Sequence, residues 1–358
     1  MPVVAPQDPT LLSRLPGLDA GRVVATLGVF WFHAADSDLF HPSGVLGRFS
    51  VSFYTVAAIV FLVESARRKH RPFHTYSFDR FRRLYLPFLG WSAISLLLMY
   101  FLHSFDDKIE LPTLSLNFLV NGGTIHLWYL PFLLVASLIV YPIVIWMLKS
   151  KPRQLAVAIA AAALALALDL RLLDFIPQIQ IPPIDHFLDD THLRWSGVYW
   201  GLAIAILWIN GLKTSAWRIP LAIAGAIALI SMIVLMWDIG TLERLKIVGG
   251  VGLLFVALAP WGANPIVTAL APYGRLSAGV YFAHMPALSL SRFLINSCGG
   301  IQSDPLRDIV AFLLALAFAF ITIRTLASIH GLQWLAGLDT TGMKSPAVRA
   351  LPQAAVSR

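Results

Sequence analysis

The sequence has few charged residues for its length. Only 13% of its 358 residues are Asp, Glu, Lys or Arg, whereas 58% are hydrophobic, and the mean hydropathy is +0.73. Soluble domains typically carry about 25% charged residues. The composition therefore excludes an ordinary soluble domain and indicates an integral membrane protein.

Cysteine is almost absent, because Cys298 is the only one in the sequence. A single cysteine excludes a disulfide within the chain. The sequence also lacks a repeat of fixed period, a low-complexity tract and a long linker. We therefore predict a single transmembrane domain over residues 1–336, followed by a disordered cytoplasmic tail over residues 337–358.

Long apolar runs are what the sequence does contain. A membrane helix needs about 20 mostly apolar residues. Ten runs approach this length, at residues 17–36, 50–66, 82–103, 125–148, 154–173, 195–211, 217–237, 245–265, 271–295 and 307–329. They predict an all-α, polytopic membrane protein with about ten transmembrane helices. The first run begins with Asp19 and is long for a signal peptide, so we expect an uncleaved helix.

Lysine and arginine residues are concentrated in alternate predicted loops, most densely between Arg67 and Arg83. By the positive-inside rule, this asymmetry predicts that both termini are cytoplasmic. Because the same asymmetry accounts for the net charge of +8, the basic composition does not indicate a nucleic-acid partner. Anionic membrane lipids are the expected partners of these loops.

An arginine and a histidine lie in the first apolar run. His33 follows Arg22 by eleven residues, which places both on one helical face about 16 Å apart. Gly17, Gly21 and Ala25 form a row of small residues that allows a neighbouring helix to approach closely. Two interpretations of each ionisable residue stay open: Arg22 anchors the helix at the interface or has a function, and His33 is an interhelical contact or a working histidine.

Further histidines are predicted in the same half of the membrane as His33. His126 starts the fourth run, and His284 lies past the middle of the ninth, on the same face as Ser277 and Tyr281. This pattern predicts a polar cavity that opens outward, and the alternative is three unrelated interfacial histidines. No two of these histidines have a local ligand spacing, so we expect no metal.

The basic segment between the second and third runs contains Arg80, Arg82 and Arg83. Arg80 and Arg83 are expected at the N-terminal end of the third helix, where free backbone N–H groups favour phosphate. The alternative is a positively charged anchor for lipid headgroups.

Four sequence blocks occur in order along the chain. They are Arg22 and His33, spaced as Arg-x10-His; Arg80 and Arg82, spaced as Arg-x-Arg; HLWYLP at residues 126–131; and Ser277, Tyr281 and His284, spaced as Ser-x-x-x-Tyr-x-x-His. Together these blocks resemble the acyltransferase-3 family of membrane-bound O-acyltransferases, whose bacterial members O-acetylate surface polysaccharides. Ala57 and Ala58 depart from the family, because members usually carry Ser-Gly there, and the acceptor therefore stays open.

The resemblance implies a multi-pass protein of the bacterial cytoplasmic (inner) membrane. Acyl-CoA, most often acetyl-CoA, would supply the acyl group from the cytoplasm, and a glycan or lipid-linked glycan would accept it on the other side. Arg80 and Arg82, with Arg83 beside them, would bind the CoA phosphates. Arg22 would line the inner mouth, and His33 would be the catalytic histidine.

Transfer of an acyl group from a thioester to an alcohol requires a base for the hydroxyl, and histidine suits this role. We expect His33 to act as this base, with a covalent acyl-histidine as the variant. Tyr281 or His284 would stabilise the oxyanion, and Asp36 would orient the His33 ring. Asp36, His126 and Trp128 are candidate contacts to the substrate, and the alternative for Asp36 is the start of a solvated loop in HAADSD.

A different class of function stays open beside the enzyme. A transporter or flippase for a lipid-linked sugar or small metabolite would also use ionisable residues inside the membrane. The cytoplasmic phosphate site distinguishes the two, because only the acyltransferase needs it. The loop at residues 169–195 is expected to be a solvated cap or a contact to the acceptor.

Overall fold

The computed structural model describes residues 15–105, 118–172, 191–214 and 216–338. Over these ranges the protein is helical and has no strand, which confirms the predicted all-α class. The helices are α1 (Pro16–Ala34), α2 (His41–Leu46), α3 (Phe49–Arg68), α4 (Phe73–Arg80), α5 (Leu86–His103), α6 (Phe118–Asn121), α7 (Tyr129–Met147), α8 (Lys151–Asp169), α9 (Thr191–Ile209), α10 (Arg218–Val234), α11 (Ile239–Ala257), α12 (Pro265–Leu270), α13 (Ser277–Ser297) and α14 (Asp304–Ser328).

Each of the ten predicted apolar runs coincides with a long helix. By length and composition, five helical segments of the described chain can cross a membrane: His41–Arg68, Phe73–His103, His126–Met147, Lys151–Asp169 and Asp304–Ser328. The apolar segments Arg218–Val234 and Leu245–Ala257 are shorter. Membrane crossing by the other predicted helices and the cytoplasmic position of the termini stay predictions. Most of the loop at residues 169–195 and nearly all of the tail lie outside the described residues.

The prediction for the start of the third membrane helix is wrong. The helix begins at Phe73 with Pro72 as its N-cap, continues through a π-helix at Phe81–Tyr85 and joins α5. The three arginines of this segment therefore lie inside a helix, where the neighbouring backbone N–H groups bond within the helix and are not free for phosphate. The sequence did not reveal that the helix continues through this segment, because its aromatic residues alternate with basic ones.

Helix α1 lies at the centre of the bundle and contacts α3, α11, α13 and α14. A Cβ atom added at Gly17 would lie 2.3 Å from the main-chain oxygen of Ala257. At Gly21 it would lie 3.0 Å from the Ala257 Cβ atom. Glycine at these two positions allows α11 to pack directly on α1, as the row of small residues predicted.

The bundle has two chemically different ends. The C-terminal ends of α1 and α5 meet the second half of α13 at one end, which we call the histidine end. Helix α4, the π-helix and the C-terminal half of α7 form the other end, which we call the arginine end. Helix α7 connects them, and the twelve residue steps from Tyr129 to Tyr141 span about 18 Å.

Candidate functional site

Three histidines from distant parts of the chain come together at the histidine end. His33 lies in the last turn of α1, His126 in the 3₁₀ turn Ile125–Trp128, and His284 in α13. The ring centroids of His33 and His284 are 5.2 Å apart, and those of His284 and His126 are 4.2 Å apart. We call these residues the histidine cluster.

The inner part of the histidine cluster is buried. His284 has 0% and His126 has 4% of its surface exposed, whereas His33 is half-buried. Phe30 also packs against the His284 ring, with centroids 5.4 Å apart. His33 is therefore the member of the cluster that a substrate can reach first.

Main-chain carbonyl groups define the tautomers of the two buried rings. His284 donates from Nδ1 to the carbonyl oxygen of Tyr281 at 2.5 Å, and His126 donates from Nε2 to that of Phe282 at 3.2 Å. A carbonyl oxygen only accepts, so these ring nitrogens carry the hydrogens. Among the described residues, no group hydrogen-bonds to His284 Nε2 or to His126 Nδ1. In the neutral rings these two nitrogens are lone-pair acceptors inside the core.

Tyr281 holds the cluster together rather than pointing a free hydroxyl into it. Its hydroxyl donates to the main-chain oxygen of His126 at 3.1 Å, and its ring lies 5.3 Å from His284 and 5.8 Å from His126. The hydroxyl proton is therefore engaged in this structure. This contact fixes the 3₁₀ turn that carries His126 against α13.

A line of polar side chains leads from the cluster toward Arg22. The Tyr281 ring lies 5.9 Å from that of Tyr54 on α3. The hydroxyl of Tyr54 contacts Thr26 Oγ1 at 2.6 Å and donates to the main-chain oxygen of Arg22 at 2.9 Å. The side chain of Arg22 in turn pairs with Asp19 at 2.8 Å. Tyr54 and Thr26 were not predicted from the sequence, although a hydroxyl on the Arg22 face of α1 is a recognisable signal.

The predicted contact between Asp36 and the His33 ring is absent from the described structure. Helix α1 ends at Ala34, so Asp36 leaves the helical spacing on which the prediction depended. Its carboxylate accepts a hydrogen bond from Arg292 Nη2 at 2.5 Å. The same nitrogen donates to the main-chain oxygen of His33 at 3.0 Å. Arg292 was missed, although an arginine within an apolar run is by default a functional candidate.

A second contact secures the segment that follows His33. The buried carboxylate of Asp308 on α14 accepts from the main-chain N–H of Ser37 at 2.8 Å. Asp308 is only 2% exposed. The end of α1 is thus bound to α13 and α14 through two charged side chains, which limits the movement of His33.

Trp128 lies beside the cluster but does not join it. Its ring packs against Tyr129 and Phe132, both 6.0 Å away, and is covered by the guanidinium of Arg194 at 3.5 Å. The indole therefore packs in the hydrophobic core next to the histidine cluster. Its predicted contact with substrate stays a prediction.

The predicted phosphate-binding arginines lie at the arginine end. Arg80 donates from Nε to the hydroxyl of Tyr76 at 3.0 Å, and Arg82 lies 5.8 Å from the centre of the Phe78 ring. Arg82 and Arg83 are exposed, whereas Arg80 is half-buried. The arrangement presents positive charge along one helix.

A cavity of about 530 Å³ opens next to these arginines. Its walls include His70, Arg71, Tyr141, Trp146 and Lys149. Tyr141 stacks on the Arg80 partner Tyr76, with centroids 3.8 Å apart and planes 7° apart. A basic wall beside aromatic rings suits a ligand that combines phosphate with a flat ring. Among the described residues, no group of three His, Cys, Asp or Glu side chains could hold a metal ion.

The chain belongs to the acyltransferase-3 family, because the family model, described as an acyltransferase domain, matches residues 15–324. Five of its described helical segments are long and apolar enough to cross a membrane, so the family and the helices together indicate a membrane protein. The sequence is similar to a serine/alanine racemase from Enterococcus gallinarum, with 24% identity over 346 residues. The match covers 92% of this chain and 48% of the relative, so the chain spans about half the length of that protein. No solved structure matches.

Proposed function

We propose that this protein is an O-acyltransferase of the bacterial inner membrane. It transfers an acyl group, acetyl in the first instance, from cytoplasmic acyl-CoA to a sugar hydroxyl of a surface or exported polysaccharide. The observation that carries the proposal is the histidine cluster, in which His33 lies 5.2 Å from a buried ring with a free nitrogen. Such a group of neutral imidazoles is suited to removing and returning a proton.

The proposed reaction is direct transfer. The His33 ring takes the proton of the acceptor hydroxyl, and the oxygen attacks the thioester carbonyl. The tetrahedral intermediate then collapses, its C–S bond breaks, and the CoA thiolate leaves with the proton from His33. No oxidant or metal enters this balance, and the products are an ester and free CoA.

His284 stabilises the protonated state of His33 in this proposal. Its Nε2 carries a lone pair, because Nδ1 holds the hydrogen that bonds the Tyr281 carbonyl. The two ring centroids are 5.2 Å apart, and a lone pair turned toward His33 would favour the imidazolium as it forms. The oxyanion roles expected for Tyr281 and His284 need different hydrogen positions from those in this structure. We therefore propose that His284 stabilises the proton on His33 instead.

The arginine end binds the donor in this proposal. Arg80, Arg82 and Arg83 contact the CoA phosphates, with the adjoining basic cavity as the place for the nucleotide. The acyl arm then runs toward the cluster beside Arg22, over a distance comparable to the 18 Å along α7. This arrangement separates donor binding and chemistry at two ends of one bundle, with both termini cytoplasmic.

The experiment measures CoA release from acetyl-CoA by the purified protein, with and without an extract of cell-surface glycans. Wild type is compared with His33→Ala and with His41→Ala, which changes an exposed histidine outside the cluster. Release that depends on glycan and is lost only in His33→Ala supports the proposal. If hydroxylamine releases an acyl group that had become bound to His33, the reaction follows the acyl-histidine variant.

Two outcomes count against the enzyme. If the purified protein neither binds acetyl-CoA nor releases CoA, while vesicles containing it move a lipid-linked sugar, it is a flippase. Conversion of L-serine or L-alanine to the D-form, the activity named for the Enterococcus gallinarum relative, would also contradict the proposal. Both assays use the same purified full chain.

A further inference from the structure

The histidine end contains a second cavity, of about 410 Å³. This volume falls within the range of small-molecule sites, which is about 300–1,000 Å³. One wall comes from the end of α5 and includes Leu102 and Phe105. The other wall is one face of α13 and includes Ser289, Arg292 and Asn296. We call it the outer cavity.

The outer cavity is physically connected to His33. Arg292 lines the cavity and donates to the main-chain oxygen of His33 at 3.0 Å. A molecule held there lies one residue away from the proposed base. We infer that the outer cavity is the binding subsite for the acceptor, an inference that rests on the proposed acyltransferase function.

The two walls differ in chemistry in a way that suits a sugar ring. Ser289 and Asn296 offer a hydroxyl and an amide that donate and accept hydrogen bonds. Phe105 and Phe293 form an aromatic pair with centroids 5.9 Å apart. Sugar rings present hydroxyl groups at their edges and apolar C–H groups on their faces, so the edges meet α13 and a face meets the phenylalanines.

The charge of the outer cavity points to an uncharged sugar. Among the described residues, Arg292 is the charged side chain that lines it, and the Asp36 carboxylate pairs with this arginine. An anionic sugar would need to compete with Asp36 for the guanidinium. A neutral sugar can instead hydrogen-bond to both groups of the pair without separating them. The structure therefore assigns the acceptor to the class of neutral sugars.

The first test uses methyl glycosides of glucose, galactose, mannose, rhamnose and N-acetylglucosamine as probes, beside methyl glucuronide. CoA release from acetyl-CoA is measured with the full-length protein. At least one neutral glycoside is expected to raise release above background, and the glucuronide is expected to be at least tenfold poorer. The inference about the acceptor is overturned if the glucuronide is preferred, or if a protein that binds acetyl-CoA responds to no neutral glycoside. Neither result overturns the proposed function. Absence of acetyl-CoA binding overturns the proposed function itself.

Variants of the cavity wall provide the second test. Phe293→Leu and Asn296→Ala should each raise KM for the neutral glycoside about tenfold and leave KM for acetyl-CoA unchanged. Leu294→Ala is the matched control, because Leu294 lies between them on α13 and is exposed. Equal effects of the control and wall variants would overturn the inference. Thermal unfolding in detergent confirms that the compared variants are folded.

The pairing of Arg292 with Asp36 allows a third test. Asp36→Asn removes the carboxylate that neutralises Arg292, so the ratio of kcat/KM for glucuronide over glucoside should rise at least tenfold. An unchanged ratio in a folded variant would show that the pair does not select the acceptor.

Discussion

Arg292 donates a hydrogen bond to the main-chain oxygen of His33 across 259 positions of sequence. The same nitrogen also holds Asp36, so one guanidinium bonds both the last turn of α1 and the segment that follows it. Replacing it with lysine keeps the charge but places it on a flexible, strongly hydrated ammonium group that is not held rigidly against both partners. We expect Arg292→Lys to reduce kcat about tenfold without a change in KM for acetyl-CoA, as measured by CoA release.

The control for Arg292 is Arg307→Lys. Arg307 also pairs with a half-exposed aspartate, Asp304, at 3.0 Å, but it lies at the start of α14. Exposed ion pairs contribute about 0–1 kcal/mol to stability. Both variants should therefore unfold within a few degrees of wild type. If Arg307→Lys lowers kcat equally, Arg292 has no special effect on His33.

The variant His284→Asn distinguishes the roles of the two nitrogens of the buried ring. Asparagine keeps a side-chain donor near the position of Nδ1, for the Tyr281 carbonyl, and removes the free Nε2. If His284 supports the base, acyl transfer should fall about 100-fold, the lower range for general acid–base catalysis. The measurement is kcat with saturating acetyl-CoA and acceptor.

His284→Gln is the companion variant, because its longer amide can reach the position of Nε2. Partial recovery of activity in the glutamine variant is expected. Equal activity of both variants and wild type would remove His284 from the mechanism.

The donor site predicts a dependence on ionic strength. The double variant Arg82→Ala/Arg83→Ala should raise KM for acetyl-CoA about tenfold and flatten its salt dependence, because exposed charges act through screened attraction. The control is Arg324→Ala, an exposed arginine near the end of α14. An unchanged KM for acetyl-CoA in the double variant would indicate that these arginines anchor lipid headgroups, which is the alternative to binding phosphate.

The packing of α11 on α1 predicts a defect in stability. Gly17→Ala introduces a Cβ atom at 2.3 Å from the Ala257 oxygen, which forces the helices apart. Overpacking of this kind costs typically about 1–3 kcal/mol. Gly240→Ala is the control, because the nearest atom its Cβ would meet is 3.6 Å away. Equal thermal unfolding of the two variants in detergent would contradict the close contact.

The single cysteine provides a test of orientation. Cys298 is exposed and follows α13 at the histidine end. A maleimide that does not cross membranes should label it in intact cells from which the outer membrane has been removed. In Cys298→Ser/Lys69→Cys, labelling should require lysis, because Lys69 follows α3 at the opposite end. Reversed labelling would invert the predicted topology.

The sequence predicted the helices well because each crossing needs a long apolar run. It failed between Phe73 and Phe81, where charges interrupt the apolar pattern although the backbone remains helical. An amphipathic helix at an interface does not need an apolar run. Its start is therefore decided by Pro72 and by packing against α7.

The proximity of the three histidines could be anticipated from their shared half of the membrane, whereas their partners could not. The role predicted for Asp36 assumed that α1 continued past Ala34. Arg292 draws Asp36 away, and this contact depends on how α13 packs against α1. Such tertiary pairs have no signature in local spacing, and the catalytic roles themselves stay predictions.

During synthesis, α1 is made long before all the helices that pack against it. Tyr54, which bonds the Arg22 half of this helix, is only 32 positions away from it, so α3 can shield that half early during insertion. In the predicted topology, the His33 half must wait until α13 enters the membrane. During this interval a histidine and the end of a helix face lipid or the insertion machinery, which is costly. A chaperone or translocon that retains α1 until the last helices arrive would therefore control how much active protein a cell obtains.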